Sequence, residues 1–125
     1  MARGDRTDKQ RSGAAAERLA ERHLVRAGLK TLERNWLCRM GELDLIMQDG
    51  ASVVFVEVRR RRRGRHGTAA ASVGPSKQTR LIRAAQLYLQ RTSTSAPCRF
   101  DVVAVDEDAD GNLSLKWLRA AFSAH

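Results

Sequence analysis

The chain has 125 residues, 42% of them hydrophobic, and a formal net charge of +9 at pH 7. This is enough apolar material for one domain with a buried core and excludes a disordered polymer, while no apolar run reaches the roughly 18 residues of a membrane-spanning helix. Because the N-terminus has no apolar signal core, the chain is expected in the cytoplasm and away from membranes, with Cys38 and Cys98 as reduced thiols rather than a disulfide.

The N-terminal part of the chain predicts a tail followed by a helix. Residues 1–11 have mixed charge and are expected to be flexible, and residues 12–125 are expected to form a single domain. The helix is predicted over 12–27, because Ser12 can cap its start and Gly28 stands where a helix-terminating glycine belongs. Glu17 lies at the edge of the apolar stripe of this helix, although the helix has polar surface elsewhere.

Three strands are predicted next. The first, in LKTLERNWLCRM, has turn or bulge character near Asn35. In the second, Leu43, Leu45 and Met47 alternate with the residues between them, which is typical of a strand with two different faces. An Asp-Gly hairpin turn follows. The third strand, SVVFVEVR, is β-branched on both faces, which predicts a central strand that is buried on both sides.

The second half of the chain predicts a loop, a helix and two strands. Residues 60–75 form a long basic loop punctuated by glycine, and the helix is predicted over 76–90 with a basic row of Lys77, Arg80 and Arg83. The strands CRFDVVAV and LSLKWL flank the turn DEDADGN, which copies the start of a calcium-binding loop but lacks its final glutamate. The order α-β-β-β-α-β-β predicts the α/β class, with one mixed central sheet flanked by helices.

The positive charge is concentrated in one part of the sequence. Between Glu57 and Asp101 there are eleven Arg or Lys residues and no acidic residue. A surface of one sign suits a polyanion such as DNA or RNA better than an anionic membrane. The alternative is that the arginines serve only solubility.

Two carboxylates lie in apolar strands on either side of the hairpin turn. Pairing across that turn brings Asp44 and Glu57 close to facing each other. Neighbouring carboxylates in an apolar setting repel each other unless they are protonated, paired with a cation or bound to a metal. A hard divalent cation such as Mg²⁺ or Mn²⁺ meets this need and could activate water against a phosphodiester. The alternative is that Glu57 only pairs with an arginine.

These motifs together resemble a known family. An Asp followed by Glu-x-Lys on a central strand is the signature of the P-D-(D/E)-x-K, or restriction-endonuclease-like, nucleases. More closely, the chain resembles the YraN family of small bacterial proteins from about Gly13 to Phe122. The likeness lies in the G-x-x-x-E helix start, the Asn35 region, GELDLI, FVEV, the Lys77 helix start, RFDVV and the final AAF. The resemblance implies a restriction-endonuclease-like mixed sheet, often compared with Holliday-junction resolvases.

The resemblance also implies roles for individual residues. Asp44 and Glu57 match the metal-binding carboxylates, and Glu17 matches an acid of the first helix that joins the metal site in related nucleases. Arg59 stands where the pattern has lysine. Arginine stays protonated and cannot act as a base, but it can stabilise negative charge on a phosphate. The candidate catalytic residues are therefore Asp44, Glu57 and Arg59, and no lysine lies nearby in the sequence to replace the missing one.

The remaining basic residues are candidates for contacts to a nucleic-acid backbone. They are Arg60, Arg61, Arg62, Arg63, Arg65, Lys77 and Arg80, and the alternative for the arginine run is an ordinary solvated loop. Few aromatic residues accompany them, so shape-based binding of duplex or branched DNA fits better than base stacking.

Two functions follow from these features. The first is a metal-dependent endonuclease that binds DNA, and the second is a non-catalytic nucleic-acid-binding module that kept the fold without the lysine. The resemblance adds the option of a homodimer, because nucleases of this kind often dimerise to reach two strands.

Overall fold

The computed structural model describes the backbone of residues 8–62 and 73–124. Its elements are α1 (Asp8–Arg26), β1 (Lys30–Cys38), β2 (Gly41–Asp49), β3 (Ser52–Arg62), α2 (Pro75–Arg91), β4 (Cys98–Glu107) and β5 (Leu113–Phe122). The predicted order of helices and strands is therefore confirmed. Neither of these helices is long and apolar enough to cross a membrane within the described part of the chain.

The first helix begins earlier than the sequence predicted and ends as expected. It starts at Asp8, four residues before Ser12, so residues 8–11 are helical, while residues 1–7 lie outside the described part. At its end the N–H of Leu29 donates to the carbonyl of Leu24, and the N–H of Gly28 donates to Val25. These two bonds close the helix with Gly28 at a φ of 104°, a left-handed conformation that favours glycine.

The five strands form one open mixed sheet in the order β1-β2-β3-β4-β5. The first three strands are antiparallel neighbours, β3 and β4 are parallel, and β5 returns antiparallel to β4. Only the parallel step needs a crossover, and α2 supplies it. The helix that follows β3 thus begins close to the end at which β3 finishes.

The two helices cover opposite faces of the sheet. The α1 side is formed by Ala16, Ala20, Leu24, Leu29, Leu45, Met47, Val54, Val56, Val103 and Val105. The α2 side is formed by Leu43, Ile46, Val53, Phe55, Val73, Leu81, Ala84, Ala85, Tyr88, Phe100, Val102 and Ala104. Because β3 contributes alternate residues to both sides, the prediction of a central strand buried on both faces is confirmed.

The regular alternation of β2 breaks at Asp44. Leu45 packs on the α1 side, whereas Leu43 packs on the α2 side with Ile46, so the predicted common face of Leu43 and Leu45 is wrong. Opposite this point in β1, Asn35 has a φ of 49°. This break changes the direction of the Asp44 side chain. The regular alternation of apolar residues in the β2 sequence could not reveal it.

The strand β3 runs further into the arginines than predicted. Arg60, Arg61 and Arg62 pair with Val105, Asp106 and Glu107 of β4, so the predicted loop does not begin at residue 60. The sequence did not reveal this extension because its reason lies in β4, whose acidic end neutralises the basic end of β3. Arg63 and Arg65, which were predicted to contact nucleic acid, lie outside the described residues.

The edge strand β5 is fastened to the sheet by one fully buried carboxylate. Asp101 accepts hydrogen bonds from the Trp117 indole and the Ala120 N–H, both at 2.9 Å, and from the Arg99 guanidinium at 3.0 Å. Every oxygen of this buried acid therefore has donors, which makes it a structural group.

Replacing Asp101 with alanine is expected to lower the free energy of unfolding by about 2–4 kcal/mol, because buried donors lose a charged acceptor. Urea unfolding followed by far-UV circular dichroism measures the change. Asp110→Ala, at an exposed turn, is the matched control and should change stability by less than about 0.5 kcal/mol. Equal effects of the two substitutions would contradict this role for Asp101.

Candidate functional site

Two acidic side chains meet where β2 and β3 leave their regular pairing. The regular ladder runs from Asp49–Ser52 to Leu45–Val56, and Asp44 and Glu57 are the next residues of the two strands. The Oδ2 atom of Asp44 accepts a hydrogen bond of 2.9 Å from the N–H of Val58. This bond holds the Asp44 carboxyl against the backbone beside Glu57, so the two acids lie close together.

Burial and mutual repulsion change the protonation of this pair. Burial raises the pKa of Asp44, the negative charge of Glu57 raises it further, and the hydrogen bond from Val58 opposes them only in part. The resulting pKa of Asp44 is about 8. Sharing of the Asp44 proton with Glu57 acts in the same direction. At neutral pH the Asp44 carboxyl therefore keeps its proton.

The two oxygens of Glu57 have different surroundings. The residue is only 5% exposed. Its Oε2 atom lies 3.3 Å from Lys77 Nζ and 3.5 Å from a guanidinium nitrogen of Arg59. With both acids ionised, Oε1 is buried and has no hydrogen-bond partner among the described residues. A buried carboxylate oxygen without a donor is costly, and a cation beside it would remove that cost.

Lys77 enters the site from another element. Pro75 occupies the first turn of α2 after Gly74, which starts the helix close to the end of β3 and places Lys77 beside Glu57. Sequence reasoning treated Lys77 as a backbone contact and found no lysine near Arg59. The signal that could have found it is the crossover itself, because a helix that follows a strand begins near the end of that strand.

Glu17 is held beside the pair by polar contacts between α1 and β1. Its Oε1 atom accepts a hydrogen bond of 2.8 Å from the side chain of Asn35. One turn later, Glu21 binds Arg34 at 2.8 Å and Thr31 at 2.6 Å, which fixes the helix on the strand. The left-handed backbone of Asn35 thus serves to position Glu17.

The acids do not close into a three-ligand cluster. The negative charge of Glu17 contributes to the raised pKa of Asp44 and of Glu42, so Glu17 lies within electrostatic reach. Among the described residues, however, no three Asp, Glu, His or Cys side chains converge closely enough to hold a metal ion. The close set is therefore the pair Asp44 and Glu57, with Glu17 nearby.

Glu42 is an acid at this site that sequence reasoning missed. Burial is the main cause of its raised pKa, followed by the charges of Glu17 and Glu57. It lines a cavity of about 40 Å³ with Lys77 and Arg80. The residue is exposed, but it lies close enough to Glu17 and Glu57 for their charges to act on it, and the sequence alone gave no signal of that proximity.

The predicted phosphate-binding residues fall into two groups. Arg60 pairs with Glu107, and Arg61 pairs with Asp106 at 2.8 Å through its Nε atom, so both are engaged by the acidic end of β4. Arg80 is exposed on α2 and has no ion pair with a described residue. The side chain of Arg62 lies outside the described part. Of the predicted phosphate-binding side chains that the structure describes, only Arg80 on α2 is therefore both exposed and without an acidic partner among the described residues.

Comparison with known proteins identifies one family. Residues 16–105 match the model of the "Uncharacterised protein family UPF0102". A UPF0102 protein of Janthinobacterium sp. (strain Marseille) is 52% identical over 119 residues, which cover 95% of this chain and 93% of that protein. One from Stutzerimonas stutzeri (strain A1501) is 52% identical over 120 residues, covering 94% of this chain and 99% of that protein. These matches confirm the resemblance to the YraN family.

The raised pKa of Asp44 predicts a pH-dependent penalty on stability. The folded protein holds this proton up to about pH 8, whereas the ordinary value is 3.8. Since the unfolded chain binds fewer protons between these values, the free energy of unfolding falls as pH rises from about 4 to 8. Asp44→Asn, which cannot ionise, should remove this decline and stabilise the metal-free protein by roughly 1–3 kcal/mol above pH 8.

Urea unfolding in EDTA at pH 5 and pH 8.5 measures this effect. The control is Asp110→Asn, which removes an exposed carboxylate and should keep the pH dependence of the wild type. If Asp44→Asn lost as much stability between the two pH values as the wild type does, the buried pair would not carry this penalty.

Proposed function

Because the chain belongs to the uncharacterised family UPF0102, its function has to be argued from the site, and we propose that it is a metal-dependent endonuclease that binds DNA. The observation that carries this proposal is the close pair of Asp44 and Glu57, which repel each other and, once both are ionised, leave the buried Oε1 atom of Glu57 without a donor among the described residues. Cytoplasmic location fits the two free thiols, Cys38 and Cys98.

The residues of the site fit a hard divalent cation. Carboxylate oxygens are the ligands that Mg²⁺ and Mn²⁺ prefer, and one or two of them suffice when water and phosphate complete the coordination. Asp44 and Glu57 would hold the ion, and Glu17, fixed by Asn35, would act from the helix beside them. When bound, such an ion lowers the pKa of a bound water and stabilises negative charge on a phosphoryl group.

The two cations at Glu57 would have different tasks. Arg59 keeps its charge and presents a planar set of donors, so it would bind a non-bridging oxygen of the phosphodiester. Lys77 is a compact ammonium group with three donors, so it would orient a water or a phosphate oxygen next to Glu57. We propose that Lys77 supplies from α2 the lysine that this chain lacks at position 59.

Metal binding should depend on pH, because Asp44 has to lose its proton first. Below about pH 8, the affinity for Mn²⁺ is expected to rise about tenfold per pH unit, and above it the affinity should level off. Isothermal titration calorimetry between pH 6 and pH 9 measures the curve. Asp44→Asn should lose the binding and the pH dependence together.

Asp108→Asn is the matched control for metal binding, because Asp108 lies in the acidic turn that resembles a calcium loop. In that turn its Oδ1 atom already accepts the N–H groups of Asp110 and Asn112. The control should bind Mn²⁺ like the wild type. If Asp44→Asn still bound Mn²⁺, or if Asp108→Asn did not, the ion would bind elsewhere and the proposed site would be wrong.

Cleavage should depend on Lys77 more than on Arg59. In single-turnover assays with saturating four-way, duplex and single-stranded DNA in Mn²⁺, Lys77→Gln should slow cleavage by about 100-fold, as loss of an aligned donor does. Arg59→Lys should slow cleavage by no more than about tenfold, because position 59 keeps its charge but loses the planar set of donors. Asp44→Asn should abolish cleavage, and Lys116→Gln on the edge strand should not change it.

A different order of cleavage rates among these variants would show which of the assigned residue roles is wrong. If Arg59→Lys raised the rate by an order of magnitude or more, position 59 would still be the place where lysine acts. If cleavage by the wild type equalled that by Asp44→Asn, it would come from a contaminant and the enzyme proposal would fail.

One observation favours a second function, a non-catalytic nucleic-acid-binding module. Glu57 already has two cationic partners, and such pairing can neutralise a buried acid without any chemistry. This function is expected to show salt-dependent DNA binding, no cleavage in Mg²⁺ or Mn²⁺, and no effect of Asp44→Asn on the affinity.

A further inference from the structure

A second basic depression lies beside the carboxylates. It is an open cavity of about 210 Å³ between α2 and the turn that joins β1 to β2. Its lining residues are Arg39, Met40, Arg83, Gln86, Leu87 and Gln90, and we call it the α2 groove. The lining has two guanidinium groups, two amides and no acid, which is the chemistry that receives an anionic, hydrogen-bonding chain.

The α2 groove adjoins the smaller cavity that contains Lys77, the partner of Glu57. Met40 lines both the groove and the smaller cavity that contains Lys77 and Arg80. Along α2, Lys77, Arg80 and Arg83 follow one another at every third residue, so neighbours lie on the same side of the helix. A single row of positive charge therefore leads from Glu57 into the groove.

The arginines around the groove have no acidic partner among the described residues, unlike Arg60 and Arg61 on β3. Arg39, Arg80 and Arg83 are exposed, and none of them forms an ion pair within the described residues. Arg60 and Arg61, on the other side of Glu57, are paired with acids of β4. Uncompensated like charges three residues apart destabilise a helix slightly, and a bound polyanion would relieve that repulsion.

From this arrangement we infer that the α2 groove carries the sugar-phosphate backbone of one nucleic-acid strand away from the carboxylate pair. Arg39 and Arg83 contact phosphates, and Gln86 and Gln90 donate hydrogen bonds to phosphate or sugar oxygens. From Lys77 to Gln90 the helix rises about 20 Å, which matches about six nucleotides of one duplex strand at 3.4 Å each. The direction of the strand rests on the proposed function, whereas the binding surface itself does not.

The test is a binding experiment without divalent metal. Fluorescence anisotropy in EDTA, over a series of salt concentrations, compares the wild type with the double variant Arg39→Gln and Arg83→Gln on DNA and RNA duplexes and single strands. Loss of two phosphate contacts should reduce the slope of log Kd against log salt by about 1.8 on duplex DNA and weaken binding at least tenfold at low salt. Whichever of DNA or RNA shows the larger loss is the strand the groove accepts.

The matched control is Arg22→Gln with Arg26→Gln, which removes the same charge from exposed positions of α1. The control should change the slope by much less than the groove variant. Equal slopes for the two double variants would mean that only net charge matters, and an unchanged slope in the groove variant would remove the groove from the interface. Either result would overturn the inference.

The outcome is independent of catalysis. The proposed enzyme activity fails if Asp44→Asn and the wild type cleave equally, and that result leaves the EDTA binding data as they are. If the wild type cleaves DNA, the groove variant should cleave saturating DNA at the same rate as the wild type, because the substitutions weaken only DNA binding. A rate that stays low at saturation would place Arg39 or Arg83 in the reaction and contradict a purely binding role.

Discussion

The local structure at the open end of the β2–β3 hairpin depends on two neighbouring carboxylates that repel each other, Glu57, which is buried, and Asp44, which is half-buried. Asp44 and Glu57 occupy neighbouring positions on the two central strands of the hairpin, where burial disfavours both charges. Three local features reduce the effect of this repulsion. The alternation of β2 breaks at Asp44, the N–H of Val58 turns to its carboxyl, and two cations converge on one oxygen of Glu57. When both acids are ionised, the remaining oxygen of Glu57 has no donor among the described residues, and a metal ion is the proposed completion of the site in that state.

The parts of this arrangement that are local in sequence could be predicted. The Asp-Gly turn sets the hairpin register, and that register alone is enough to place Asp44 close to Glu57. The stripe of α1 likewise placed Glu17 near the sheet. Lys77 could not be found in this way, because its contact with Glu57 depends on how the crossover packs across a separation of twenty residues. The unsatisfied Oε1 atom could not be predicted either, because it depends on the positions of all neighbouring side chains.

The basic residues of the chain also fall into two groups, those paired with acids and those without an acidic partner, and the composition does not reveal this division. The arginine run suggested a single basic loop, yet Arg60 and Arg61 lie on a strand and meet the acids of β4. The parallel register between β3 and β4 decides this pairing, and a register between distant strands leaves no local signal. On α2 and in the turn between β1 and β2, Arg39, Arg80 and Arg83 are exposed and have no acidic partner among the described residues. In the proposed function, a polyanion would therefore contact α2 rather than Arg60 and Arg61.

The arrangement explains how a chain of this family could work without lysine at position 59. Arg59 and Lys77 reach the same oxygen of Glu57, from the strand and from the helix. A lysine ammonium group and an arginine guanidinium group are not interchangeable. When both lie next to the same carboxylate oxygen, however, either one can be supplied by the strand and the other by the helix. In the proposed site, Lys77 would supply the ammonium group, and Arg59 would add a planar donor for phosphate. The departure from the P-D-(D/E)-x-K pattern is therefore a weaker argument against catalysis in three dimensions than it is in the sequence.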